Sequence, residues 1–509
     1  MVEKRNIIWV SMLAIVLLSV PYLIAFFGGN EQWEFGGFLL NPVDGHSYLA
    51  KMQQGYQGEW KFVLPYTSEP GNGAFLFIFY IGLGHLARIL SFPLIWIFHA
   101  FRLIGAIFLI SMLWKLSGEL ITEEKERLLL FCLTVFGSGL GWIGVLGGLF
   151  TSDFWVAEAY PFLSMYANPH FPLGLGLMVW VILPGKHGLI RYIIGGLAIA
   201  VIQPFAVVIV IVITLFLFIF DLFKMGNINI EKLLGSDSFI RMIGIGVGGG
   251  SILLYQYLSI LKDPVLAVWN QQNLTPPPTL VDFIFSFSPV LLLAGFGIKN
   301  AINTDIGKKM LIWAVASITL IMIPWNLQRR FLTGLYVPLA GLAVLGLKEL
   351  ASRFMFNSIK AIIIVVILAV PTNLIILISG IQASLVQDKN IYYSVELVKA
   401  FDWINEYTDH NDLILADKTK GLLIPSLTGR RVIYGHPFET INVEAELEFI
   451  NGFFEGRMDE KTLTEYLKDR HIAYILIDKT RRFMNEIPIK TNGFNIVFEN
   501  SEIVIYQSN

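Results

Sequence analysis

Cysteine and charge are both scarce in this chain. Of its 509 residues only Cys132 is a cysteine, and it lies inside an apolar run. An intramolecular disulfide, a CxxC metal site and an iron–sulfur cluster are therefore excluded. The formal net charge is -2, so no basic field indicates nucleic acid binding. Charged residues make up 15% of the chain and hydrophobic residues 55%, a composition typical of an integral membrane protein.

Long apolar segments recur over the first 380 residues. A hydrocarbon core of ~30 Å needs roughly 20 apolar residues in a helix, because lipid offers backbone groups no hydrogen-bond partners. The first segment follows Lys4 and Arg5, but it is too long for a signal peptide and lacks a cleavage site, so we predict an uncleaved helix. Eleven predicted spans cover residues 7–27, 95–116, 128–149, 171–185, 191–203, 205–223, 241–261, 282–298, 309–324, 332–347 and 360–380, with a turn expected at Gln203-Pro204.

The distribution of Lys and Arg predicts the topology. With the N-terminus in the cytoplasm, the loops predicted inside carry more than twice as many Lys and Arg residues as those predicted outside. Counting the apolar segment 74–90 as a span would invert every later loop, so we expect it to lie along the outer face; a spanning helix remains the alternative. The chain is therefore predicted to be a multi-pass protein of the cell membrane.

The character of the sequence changes after Gly380, where charges return and short β-branched runs alternate with amphipathic stretches. We predict two domains: a helical transmembrane domain over 1–380 and an extracytoplasmic, soluble α/β domain over 381–509. The predicted strands of the second domain are 412–416, 431–434, 473–477, 495–499 and 502–506, and its predicted helices are 393–407, 443–454 and 460–470.

The first outer loop carries the densest motif. It reads Asn41-Pro42-Val43-Asp44-Gly45-His46-Ser47-Tyr48, followed by Met52, Gly55, Trp60, Pro65 and Glu69-Pro70. A carboxylate just outside the membrane can act as a general base toward an attacking hydroxyl. The alternative is that Asp44 caps a helix that begins at Gly45 or His46.

This motif resembles the opening of the GT-C glycosyltransferases, in particular the bacterial aminoarabinose transferases and the protein O-mannosyltransferases, which take sugar from a polyprenyl phosphate. The resemblance implies a GT-C-like membrane domain in which Asp44 is the catalytic carboxylate. From the same loop we predict His46, Tyr48 and Glu69 as substrate-binding residues. The resemblance further implies that the apolar stretch after the motif, residues 74–90, lies along the outer face.

The second outer loop contains Asp153, Glu158, Asn168 and His170. Similar proteins have an acidic residue just before the Pro that opens the fourth helix, where this chain has Asn168, so Asp153 or Glu158 is expected to replace it catalytically. Asn168 and His170 are predicted to bind substrate; the alternative for Asn168 is an N-cap before Pro169. We predict no cofactor, although a divalent ion held by Asp44, Asp153 and Glu158 is conceivable.

Two arginines break the charge rule in a late outer loop. Arg329 and Arg330 carry guanidinium groups that suit phosphate oxygens, so we predict that they bind the donor phosphate, with lipid-headgroup contact as the alternative. In the soluble domain, residues 434–440 follow a strand and form either an acceptor-binding loop or an ordinary turn.

Together these features predict a glycosyltransferase that moves sugar from a polyprenyl-phosphate donor to a glycan, lipid or protein acceptor of the cell envelope. Asp44, Glu158 and Arg329 are expected to surround one cavity at the outer face. The alternatives are a transporter or lipid flippase, and a non-catalytic membrane protein that binds envelope components.

Overall fold

The computed structural model describes residues 2–185, 188–225, 230–480 and 493–508. Lys186, one of the basic residues used to predict the topology, lies outside these residues. The described chain forms two compact units, each assembled from separate stretches of sequence. The helical unit comprises residues up to Leu23, His99–Tyr255 and Leu274–Gln382, and the mixed unit comprises Ile24–Phe98, Gln256–Asn273 and residues from Ala383 onwards.

Helices dominate the first 385 residues, as the apolar runs predict. In chain order they are α1 Val2–Phe27, α2 Pro42–Gln57, α3 Ile78–Leu90, α4 Leu94–Leu120, α5 Glu124–Phe136, α6 Gly141–Leu146, α7 Pro161–Tyr166, α8 His170–Ile182, α9 Leu189–Ile202, α10 Pro204–Met225, α11 Ile230–Leu234, α12 Asp237–Ile245, α13 Ser251–Lys262, α14 Pro264–Gln272, α15 Leu280–Phe287, α16 Val290–Ala301, α17 Asp305–Met322, α18 Tyr336–Phe354, α19 Ser358–Ala369 and α20 Pro371–Leu385.

The predicted number of eleven spans is not confirmed. Among the described residues, 5 helices are long and apolar enough to cross a membrane, or 6 if the pair α15 and α16, bent by 72°, is one span. The predicted span 128–149 is broken, because α5 ends at Phe136 and α6 begins only at Gly141. Helices α8 and α9 have 13 and 14 residues, which corresponds to a rise of only about 20 Å each. The helices do break at the position predicted for a turn, because α9 ends at Ile202 and α10 begins at Pro204.

The segment 74–90 forms α3, which has 13 residues and is too short to span a bilayer by itself. It packs against α2 through glycines. A Cβ at Gly55 would lie 2.0 Å from the carbonyl oxygen of Ile81, and one at Gly84 would lie 2.0 Å from that of Met52. The two backbones therefore touch, and α3 is held beside the helix that carries Asp44.

The predicted α/β architecture of the C-terminal region is confirmed. Its sheet consists of β3 Leu413–Leu415, β4 Arg431–Val432, β5 Tyr474–Asp478, β6 Phe494–Glu499 and β7 Ile503–Ser508, in the order β4-β3-β5-β7-β6. Strand β3 is parallel to β4 and β5, and β7 is antiparallel to β5 and β6. Side chains alternate across the sheet, with Ile414 facing one core and Leu413 and Leu415 facing another. The helices of this region are α21 Val395–Tyr407, α22 Lys418–Thr428, α23 Val443–Phe454 and α24 Glu460–Asp469.

The first loop is built into this α/β domain. Strand β1, Trp33–Phe35, pairs antiparallel with β2, Tyr392–Ser394. Ala50 of α2 and Tyr66 belong to the core beneath α21 and α22. The helix with the candidate catalytic residue is thus packed on the C-terminal domain over most of its length.

Candidate functional site

Asp44 lies in the first turn of α2, and its side chain is 43% exposed. The helix begins at Pro42, with Asn41 in the left-handed conformation as its N-cap and no side-chain capping hydrogen bond. The alternative role of Asp44 as a cap for a later helix start is therefore wrong. A carboxylate in this turn is stabilised by the positive end of the helix dipole.

A buried ion pair lies further along the same helix face. Ser47 and Lys51 follow Asp44 by three and seven positions, so the three side chains lie on one side of α2. The Lys51 ammonium lies 2.7 Å from Glu439 Oε1, and the side chains of this pair are 1% and 9% exposed. Ser47 Oγ donates to the same carboxylate oxygen at 2.5 Å and accepts from Lys51 Nζ at 2.6 Å.

The charge state of Glu439 follows from these contacts. Burial alone would raise the pKa of this carboxyl, but the Lys51 ammonium and the hydrogen bonds from Lys51 and Ser47 hold its pKa below the usual value. The C-terminal domain thus presents a fixed negative charge to the helix that carries Asp44.

His436 comes from the same turn as Glu439 and faces Asp44. Its Nε2 lies 3.7 Å from Asp44 Oδ1, and its side chain is 4% exposed. From the sequence, the turn 434–440 is expected to be an acceptor-binding loop or an ordinary turn, and neither Lys51 nor Glu439 is predicted to have a role in the site. The spacing of Asp44, Ser47 and Lys51 on one helix face was the available signal.

Three predicted substrate-binding residues of the first loop have different surroundings. His46 is fully buried, with Nδ1 2.9 Å from Ser426 Oγ and Nε2 2.7 Å from the Tyr393 hydroxyl, and burial lowers the pKa of His46 to about 3. These contacts favour a structural role for His46. Tyr48 stacks on Tyr80 with ring centroids 4.4 Å apart, and Glu69 is exposed.

In the helical unit, the structure brings Glu158 and Arg330 together. Arg330 Nη1 lies 3.1 Å from Glu158 Oε1, and the side chains are 24% and 5% exposed, respectively. The adjacent Arg329 guanidinium lies over the Trp155 ring, 4.6 Å from its centroid. Both arginines are therefore anchored by residues of the second predicted outer loop. Asp44 belongs to the mixed unit, so the cavity expected for Asp44, Glu158 and Arg329 remains a prediction.

Asp153 is fully buried and bound by several donors. It accepts from Thr151 Oγ1 at 2.5 Å and from the backbone N–H groups of Gly139 and Gly141, each at 3.1 Å. Burial raises the pKa of this carboxyl, and the hydrogen bonds oppose that shift. Gly139 lies in the break between α5 and α6 and Gly141 begins α6, so the arrangement favours a structural role for Asp153.

Asn168 and His170 lie at the start of α8 and are both buried. The helix begins at His170 with Pro169 at the cap position and no side-chain capping hydrogen bond, so the alternative role of Asn168 as an N-cap is wrong. Asn168 Nδ2 is buried and has no hydrogen-bond partner among the residues described. The His170 ring lies 4.0 Å from that of Phe171, centroid to centroid.

Within the described ranges, no group of three or more His, Cys, Asp or Glu side chains is arranged to hold a metal ion. The divalent ion considered for Asp44, Asp153 and Glu158 therefore has no support from such a cluster. The cofactor prediction itself stays a prediction.

No protein-family model and no curated protein matches the chain, but solved structures do. The Archaeoglobus fulgidus oligosaccharyltransferase, tethered with an acceptor peptide containing the NVT sequon, is 13% identical with a TM-score of 0.56, over 94% of this chain and 69% of that one. The same organism's oligosaccharyltransferase AglB, in complex with an inhibitory peptide and a dolichol-phosphate, is 12% identical with a TM-score of 0.56, over 94% of this chain and 69% of that one. ArnT from Cupriavidus metallidurans, bound to undecaprenyl phosphate, is 11% identical with a TM-score of 0.51, over 97% of this chain and 98% of that one. These neighbours are GT-C superfamily glycosyltransferases, and this chain shares their fold.

Proposed function

We propose that the chain is a membrane glycosyltransferase that moves a sugar from a polyprenyl-phosphate donor to an acceptor at the outer face of the membrane. The fold supports this class of reaction, since two of the similar structures hold dolichol-phosphate and undecaprenyl phosphate. The acceptor, a glycan, lipid or protein group, supplies a hydroxyl or an amine.

The observation that carries the proposal is the position of Asp44. It is a partly exposed carboxylate on a helix whose neighbouring residues are mostly buried. In the proposed reaction Asp44 accepts the acceptor proton while the acceptor oxygen or nitrogen bonds to the anomeric carbon of the sugar. The bond from that carbon to the phosphate oxygen breaks, the electron pair leaves with the lipid phosphate, and direct attack inverts the anomeric configuration.

A second part of the proposal concerns Arg329 and Arg330, which we assign to the phosphate of the donor. Guanidinium groups remain charged in a low dielectric and bind phosphate oxygens through paired hydrogen bonds. A fixed cation also stabilises the negative charge that develops on the departing phosphate. The ion pair with buried Glu158 restricts the Arg330 side chain and thereby supports this role.

The test is the release of lipid phosphate. Purified protein in nanodiscs is mixed with undecaprenyl-phosphate-linked sugars and a cell-envelope extract as the source of acceptor, and undecaprenyl phosphate is quantified by mass spectrometry. We expect Asp44→Asn to lower the release by about 10²–10⁴-fold, the usual contribution of a general base. Glu59→Gln, the same change at an exposed acid of the same loop, serves as the matched control.

Two outcomes contradict the proposal. One is equal release by the wild type and Asp44→Asn. The other is the absence of release from every donor offered, which would favour a transporter or a non-catalytic protein.

A further inference from the structure

The turn between β4 and α23 presents two buried polar side chains to α2. Backbone hydrogen bonds close the turn, because the N–H groups of Glu439 and Thr440 donate to the His436 carbonyl oxygen at 3.2 and 2.9 Å. Thr440 Oγ1 accepts from the N–H of Gly435 at 3.3 Å. The positions of His436 and Glu439 are thus determined by the backbone of the C-terminal domain.

The hydrogen bonds of His436 assign its tautomer. Its Nδ1 accepts from the backbone N–H of Phe438 at 3.1 Å, so this nitrogen carries no proton. In the neutral ring the proton then belongs to Nε2, the nitrogen that faces Asp44 Oδ1. Nε2 is buried and has no hydrogen-bond partner within the described part of the chain.

The tautomer of His436 decides whether the ring can act as a base or as a hydrogen-bond donor. With Nδ1 engaged by the backbone and Nε2 protonated, the ring has no lone pair available to take a proton from an acceptor. It has one donor, and that donor points to a carboxylate at 3.7 Å. Hydrogen bonds at catalytic groups are often long without substrate and shorten in the complex.

We infer that His436 is a positioning residue of the C-terminal domain, whose Nε2–H orients the Asp44 carboxylate and keeps it ionised. The inference rests on the proposed function of Asp44. It makes the C-terminal domain a part of the catalytic machinery in addition to any role in acceptor binding. It also accounts for a buried donor that has no hydrogen-bond partner among the residues the structure describes.

Other titratable groups lie in the same turn and on the same helix as the pair. Glu439 lies in the same turn, Lys51 and His46 lie on α2, and the Tyr66 ring lies 5.8 Å from that of His436. Lys51 is bound to Glu439, and His46 is bound to Ser426 and Tyr393. Removing the His436 donor therefore changes the environment of Asp44 without breaking either of these contacts.

The first experiment measures the protonation of Asp44 and does not depend on turnover. A water-soluble carbodiimide with a glycine ester labels protonated carboxyl groups, and the labelled Asp44 peptide is quantified by mass spectrometry between pH 4.5 and 7.5. The variants are His436→Phe, which keeps a ring but has no donor, and His436→Gln, whose amide restores a donor. We expect the labelling midpoint to rise by about one pH unit in His436→Phe and to return in His436→Gln, because a donor stabilises the charged form.

Identical labelling curves for the three proteins would overturn the inference, whether or not the protein transfers sugar. If His436→Phe elutes as an aggregate, His436→Met replaces it as the variant without a donor. Asp44→Asn supplies the unlabelled baseline.

The second experiment uses lipid phosphate release. We expect His436→Phe to lower kcat about tenfold with little change in KM, and His436→Gln to recover most of it, since the interaction acts on the base and not on substrate binding. Failure of the wild type to turn over any donor would refute the proposed function alone. An equal loss in both His436 variants would refute the positioning role alone.

Discussion

Replacing Lys51 by Met tests how much the buried ion pair stabilises the packing of α2 on the C-terminal domain. The ammonium is 1% exposed, contacts Glu439 and Ser47, and lies 4.5 Å from the centre of the Phe77 ring. Met retains much of the apolar stem but removes the charge. The variant therefore leaves the Glu439 carboxylate buried, with the Ser47 hydroxyl as its one direct donor in the described parts of the chain.

Breaking one side of a buried ion pair costs about 3–5 kcal/mol. For a unit of roughly 200 residues, each kcal/mol lowers Tm by roughly 2–4 °C, so the expected loss is roughly 6–20 °C. Replacing both partners, in Lys51→Met with Glu439→Gln, should recover most of it, because no uncompensated charge remains. Lys61→Met, at an exposed position of the same loop, should have the same Tm as the wild type.

The effect of Lys51→Met on Tm should depend on pH in a definite direction. In the wild type the pKa of Glu439 is depressed, so its contribution to stability is present above the ordinary Glu value of about 4.3 and is lost as the pH falls through the folded value. In Lys51→Met the buried carboxyl is relieved by protonation, so the deficit in Tm should shrink from pH 7.5 to 4.5.

Tryptophan fluorescence during thermal unfolding in detergent measures these differences. A Tm of Lys51→Met equal to that of the wild type, or a double variant no more stable than the single one, would contradict a stabilising role of this ion pair.

Four further predictions follow from the described contacts. Because His46 has a folded pKa of about 3, stability should fall as the pH drops below about 6.5, by about 1.4 kcal/mol at pH 5.5, and His46→Gln should flatten this dependence of Tm. Asp153→Asn should cost about 2–3 kcal/mol of unfolding free energy, because it removes a charged acceptor of several donors; an unchanged Tm would contradict its structural role. Arg330→Gln should raise the KM for the lipid donor at least about tenfold, whereas Arg353→Gln, at an exposed ion pair, should not. EDTA should leave lipid phosphate release unchanged, and a loss that Mg²⁺ restores would make the cofactor prediction wrong.

Local patterns predicted the C-terminal domain well. The five predicted strands and three predicted helices lie within a few residues of the observed elements, because alternating and helical periodicities are local properties. The helix α22 was missed, although Asp417 caps it by accepting from the N–H groups of Thr419 and Lys420. Its polar first turn and the internal Pro425 hide the helical pattern.

The membrane helices were harder to predict. Hydropathy identified the apolar runs but not where they break, since the break after Phe136 depends on Asp153, which bonds the backbone of Gly139 and Gly141 from a later loop. The count of spans therefore could not be obtained from apolar length alone.

In the site, the motif around Asp44 was recognisable, but its neighbours were not. Lys51 and Glu439 are 388 positions apart, and nothing in either local sequence indicates the other. The three-residue strands β1 and β2 are too short to carry a periodic signal, and they pair across a similar distance. Partners this far apart in the sequence can be identified only once the fold is known.

The long sequence separation between α2 and its partners in the C-terminal domain has a consequence for biosynthesis. His46 meets Ser426 across a separation of 380 residues. At about 5–20 residues per second, the ribosome needs roughly 20–80 s to synthesise that interval. We therefore expect the first helices of a nascent chain to form before α2 acquires its partners in the C-terminal domain. A chain truncated before Ser426 would lack the contact with His46 and, under the proposed function, should transfer no sugar.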